Sequence, residues 1–124
     1  MRKSAEIDLT RAPEAARQAR RFVDDVCAEW RLVRLRDDAE IIASELVENT
    51  LRHTASVPRL VLEHRPGGLT VSVSDGDPAR AYVCEGGAWG GFGMLLVART
   101  AADWGCAPDG VGGKKVWAKL ATAR

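Results

Sequence analysis

The chain has 124 residues and a mass of 13.4 kDa, with 46% apolar and 28% charged residues. That length and mixture exclude a disordered polymer and predict a single globular domain over residues 1–124, able to bury roughly two-thirds of its unfolded surface without metal or disulfide support. Eighteen basic against seventeen acidic residues leave a formal net charge of +1, without the basic excess that direct nucleic-acid binding calls for.

No apolar run approaches the roughly 18 residues of a membrane-spanning helix. Met1-Arg2-Lys3-Ser4-Ala5-Glu6 has basic residues with no apolar stretch behind them, so no secretion signal is expected. Cys27, Cys84 and Cys106 are odd in number, far apart and free of any CxxC pattern. They read as reduced thiols of a cytoplasmic protein.

In chain order, Ala5, Ile7 and Leu9 alternate with Glu6, Asp8 and Thr10, predicting a half-buried strand. From Pro13 to Trp30, Ala15, Ala19, Phe22, Val26 and Trp30 recur at helical spacing. A second helix is expected to start at Asp37, paired with Glu40 in the form of a capping box, and to run to His53. Arg59 to Arg65 and Leu69 to Asp75 form a predicted hairpin around Pro66-Gly67-Gly68. Asp77 to Gly91 reads as a loop, Phe92 to Ala102 as a helix entered through glycines, and Trp104 to Ala107 with Val116 to Leu120 as a closing strand pair. The order β-α-α-β-β-loop-α-β-β predicts an α+β two-layer sandwich, a mostly antiparallel sheet with helices on one face.

Three groups do not read as core packing. Glu45 and Asn49 lie four apart and share a helix face. An amide oxygen suits a hard, water-retaining Mg²⁺, and a nearby carboxylate suits a general base. A solvated polar edge accounts for the same pair. Asp75 continues the apolar face of Leu69, Val71 and Val73, and a buried carboxylate needs donors. An adenine amino group is one such donor, while a tight turn is the plainer reading of Asp75-Gly76-Asp77. Gly90-Gly91-Phe92-Gly93 opens a helix whose first N–H groups offer an anion site for phosphate.

In this order and spacing the three groups resemble the small anti-sigma-factor kinases of the GHKL ATPase superfamily, the short actinobacterial ATP-binding regulators in particular. Glu45-Leu46-Val47-Glu48-Asn49-Thr50-Leu51-Arg52-His53 is similar to the N box, Val73-Ser74-Asp75-Gly76-Asp77-Pro78 to the first glycine box, and Gly90-Gly91-Phe92-Gly93-Met94-Leu95-Leu96-Val97 to the second. Trp104-Gly105 and Gly113-Lys114-Lys115-Val116-Trp117-Ala118 are similar to the closing strands, and the likeness spans Ala16 to Leu120.

The resemblance implies a GHKL-type sandwich that binds ATP and Mg²⁺. Asn49 would hold the metal, Glu45 would act as base, and Asp75 would accept from the adenine amino group. Gly91, Phe92, Gly93 and Met94 would line the phosphates. The implied partners are an anti-anti-sigma protein of the STAS type, phosphorylated on a serine, and a sigma factor held until that protein competes. Relatives imply a homodimer. Phe92 stands where many relatives carry Arg, and Lys115 where they place Thr or a small residue near adenine. These departures leave a non-catalytic, nucleotide-gated binding module, or an adaptor with a vestigial ATP site, as the alternative.

Overall fold

The computed structural model describes residues 2–53, 55–75, 97–108 and 113–122. Five strands and two long helices account for most of them: β1 (Lys3–Asp8), α1 (Ala15–Glu29), α2 (Arg36–His53), β2 (Arg59–Arg65), β3 (Gly68–Asp75), β4 (Asp103–Pro108) and β5 (Lys114–Ala121). Every strand pairing is antiparallel, in the order β1-β2-β3-β5-β4. The last strand in sequence therefore sits between β3 and β4.

One hydrophobic core joins the two layers. Leu60 and Leu62 of β2, Leu69, Val71 and Val73 of β3, and Val116, Ala118 and Leu120 of β5 supply its sheet side. Ala19, Val23 and Val26 of α1 and Ile42, Ala43, Leu46 and Val47 of α2 supply its helix side. α2 lies against β3 and β5, and α1 packs on α2. The helices therefore cover one face of the sheet, as the element order requires.

Local chemistry sets the joints. Pro13 stands just before α1, where a missing N–H costs nothing. α1 ends in a Schellman arrangement: Leu32 N–H donates to the Cys27 carbonyl at 2.8 Å and Arg31 N–H to that of Ala28 at 3.3 Å. This turn puts Arg31 in the left-handed region, φ 60°, where glycine is the usual occupant. In the β2–β3 hairpin Gly67 takes φ 93°, a conformation glycine reaches without strain. Arg11 donates to the carbonyls of Leu51 at 2.8 Å and Ser56 at 3.2 Å, tying the end of α2 to the chain leading into β2. At the β1 edge, Arg59 donates to both carboxylate oxygens of Asp8, at 2.7 and 3.3 Å.

Several expectations shift. A 3-10 turn at Val33–Leu35 feeds directly into α2, so Asp37 lies inside the first turn rather than capping it. Its carboxylate faces the Arg36 side chain at 3.4 Å, and no capping box forms around it. Of the helix expected over 92–102, residues 97–100 are described as helical, and the helix stops before Ala101. Cys27 is a free, buried thiol, but Cys106 is disulfide-bonded, which corrects the expectation of three reduced cysteines. No helix among the described residues is long and apolar enough to cross a membrane.

Candidate functional site

The pleat of β3 decides where Asp75 goes. Leu69, Val71 and Val73 all face the core, and Asp75 follows two residues on, so its carboxylate enters the same buried face. The register pairs Asp75 with Lys114, the first residue of β5. Counting back from Leu120 through Ala118 and Val116 puts Lys114 on the core face as well. The two meet: Lys114 Nζ donates to Asp75 Oδ2 at 2.6 Å, with side chains 1% and 2% exposed. Lys115, which stands where relatives place a small residue near adenine and which could equally point outward, does face outward and is exposed. The sequence reading missed Lys114, although the alternation of β5 pointed to it.

Asn49 lies on α2, the helix packed on β3, and is 1% exposed. Its Oδ1 accepts from Arg52, one turn on, at 3.1 Å. Its Nδ2 is buried and finds no hydrogen-bond partner among the described residues. A buried amide with unspent hydrogen-bonding capacity is a costly feature for packing alone and a serviceable one for a ligand. Only the amide oxygen, the atom Arg52 holds, is a hard donor of the kind Mg²⁺ takes; the unspent Nδ2 group is a hydrogen-bond donor and not a metal ligand. Arg52 is exposed, so its hold on the amide oxygen is readily released. Among the described residues no cluster of three or more His, Cys, Asp or Glu offers a rival all-protein metal cage.

Glu45 is half-buried one turn before Asn49. It lines an open groove of about 430 Å³ with Arg20, Asp37, Glu40, Ile41 and Ser44. Asn49 is not among these lining residues. Arg20 reaches across from α1 to donate to the Ser44 hydroxyl at 3.2 Å. Burial, helped by the nearby Asp24 carboxylate, holds the Glu40 carboxyl above its ordinary range. The groove thus mixes one fixed guanidinium with several carboxyl groups. Gly91, Phe92, Gly93 and Met94, expected at the phosphates, lie outside the described residues, as do Gly76 and Asp77.

No family model matches the chain, and no curated protein matches it. Among solved structures, it is similar to the crystal structure of the RsbU and RsbW domains of Rv1364c from Mycobacterium tuberculosis. The identity is 18% and the TM-score 0.64, over 95% of this chain and 32% of that one. The chain spans about a third of the length of that protein, and the likeness is one of fold. The architecture is the expected α+β two-layer sandwich, with an antiparallel sheet of five described strands, and it is this fold that the two structures share.

Proposed function

We propose that the chain is an ATP- and Mg²⁺-binding regulatory domain of the anti-sigma-factor kinase kind. The observation that carries the reading is the buried carboxylate of Asp75. It extends an otherwise apolar stripe of β3 under the helix that bears the buried amide of Asn49. Support comes also from the three sequence boxes and from the fold shared with a structure of RsbU and RsbW domains.

In this reading Asp75 accepts from the amino group of the base, and its low exposure makes that contact discriminating. Asn49 would hold Mg²⁺, which when bound supplies charge neutralisation between phosphate oxygens. Glu45 would take the proton of an attacking serine hydroxyl, and its half-exposed position leaves it reachable by a partner. Gly91, Phe92, Gly93 and Met94 would approach the phosphates through their backbone. Phosphoryl transfer depends chiefly on positioning and charge, so this short inventory suffices. The acceptor would be a serine of an anti-anti-sigma protein, the sequestered partner a sigma factor, the assembly a homodimer, and the setting the cytoplasm.

A second reading, a nucleotide-gated binding module without catalysis, is favoured by the Asp75–Lys114 bond, which already engages the carboxylate expected to read the base. Calorimetry with Mg²⁺-ATP, and with ATP plus chelator, tests the site first. Binding in neither sample overturns both readings. Transfer of labelled γ-phosphate to a STAS-type partner then separates them. Glu45→Ala should abolish transfer and keep ATP binding if the domain is a kinase, whereas a wild type that binds ATP and never transfers phosphate is the module.

A further inference from the structure

Among the described residues Lys114 has the largest side chain that is buried almost completely, and lysine is rarely so buried unless paired. Its place is fixed by the sheet. Asp75 ends β3, Lys114 opens β5, and the register sets them directly opposite on the core-facing side. The 2.6 Å contact joins a full positive to a full negative charge, both withdrawn from water.

We infer that Lys114 sets the nucleotide affinity of this site. Its ammonium holds the carboxylate that would read the amino group of the base, and a nucleotide binds there only in competition with it. The inference rests on the nucleotide reading of Asp75 given above.

The competition is unequal. An ammonium–carboxylate hydrogen bond is charge-assisted on both sides, while the amino group of adenine is a neutral donor. Full exchange would separate a buried ammonium from this carboxylate, the step that makes breaking one half of a buried pair so unfavourable. Sharing is less costly, since a carboxylate accepts several donors. A neutral amine nevertheless gains less beside an anion compensated by this cation than beside one from which the cation has been removed. Lys114 therefore lowers affinity for any base that reads Asp75 through an exocyclic amine. Removing the ammonium reverses the relation. Asp75 is then buried without this cation, and the amine supplies the donor it has lost, so ligand binding repairs part of the damage done by the substitution.

The full chain is titrated in a calorimeter with Mg²⁺-ATP and with Mg²⁺-purine riboside triphosphate, which has the same ring without the 6-amino group. Wild type, Lys114→Thr and Lys114→Met are compared, and thermal unfolding is followed with each ligand. ATP should bind both variants tenfold or more tighter than wild type, with a larger thermal shift, and the amine-free analogue should show no such gain. ATP binding to the variants alone, with none to wild type, carries the same message. Folded variants that bind ATP no tighter than wild type overturn the inference and leave the nucleotide reading standing. Binding to neither wild type nor variants overturns both. Should the single variants fail to fold, Asp75→Asn combined with Lys114→Met removes both charges of the pair. That variant should bind ATP no tighter than wild type, and tighter binding there would show that the freed carboxylate is not the source of the gain.

Discussion

Gly105 on β4 and Trp117 on β5 are cross-strand partners, and a Cβ added to Gly105 would lie 2.8 Å from Cζ2 of the indole. The ring occupies the volume that any other residue at 105 would fill. Gly105→Ala should therefore destabilise the fold by about 1–3 kcal/mol, the usual cost of overpacking. Urea unfolding measures it. In a Trp117→Ala background the penalty should largely vanish, and a penalty of undiminished size there would show that the ring is not its cause.

Arg31 offers the opposite opportunity. It holds the left-handed position of the turn that closes α1, φ 60°. A side chain there is strained relative to glycine. Arg31→Gly should stabilise the protein by about 0.5–1 kcal/mol, the unfolded-state entropy of glycine offsetting part of the relief. The midpoint of chemical denaturation should rise, and a fall would mean that the arginine side chain contributes more than its backbone costs.

At the Asp75–Lys114 pair, single and double substitutions should be far from additive. Asp75→Asn takes the anion of this pair away from a buried ammonium and should cost about 3–5 kcal/mol. Asp75→Asn with Lys114→Met removes both charges together and should recover most of that loss. Denaturation of all four members of the cycle gives the coupling directly. The same result warns that weakened nucleotide binding by Asp75→Asn alone would mix lost recognition with lost fold.

Cys27 makes the alkaline limb of stability predictable. Burial, reinforced by the Glu40 and Asp24 carboxylates, pushes its thiol up from an ordinary value near 9 to about 11. Between those values the unfolded chain releases the proton and the folded chain keeps it. Stability from this group is thus intact below pH 9, falls as pH rises toward 11, and levels off beyond. Cys27→Ala should flatten that part of the stability–pH curve. A thiol reagent should label wild-type Cys27 only as fast as the protein opens.

Local signals carried much of this fold. Alternation over Leu69 to Asp75, and the Pro66-Gly67-Gly68 punctuation, placed the central hairpin nearly residue for residue. The apolar spacing of Ala15, Ala19 and Val26 did the same for α1. What escaped was nonlocal. Whether Lys114 or Lys115 turns inward depends on the register of β5 against β3, which no window of sequence contains. The alternation of Leu120, Ala118 and Val116 gave half of that answer, and the family resemblance marked Lys115 without deciding which way it points. The 3-10 turn at Val33–Leu35 was missed because three residues are too few to show a period. The disulfide at Cys106 was missed because separation along the chain says little about separation in space. Asn49 was legible as a polar residue on an apolar-flanked helix face, but its unsatisfied Nδ2 follows from packing alone.

The position of β5 has a consequence for how the molecule comes into being. It is made after every other described strand, yet it pairs with β3 on one side and β4 on the other. During synthesis β3 therefore presents an open edge, the kind of surface that recruits stray strands, and Asp75 waits for its lysine. One segment of chain thus supplies both the strand that joins β3 to β4 and the cation of the buried pair. A chain lacking residues 114–121 would leave β3 and β4 without the strand that joins them, and Asp75 without this lysine.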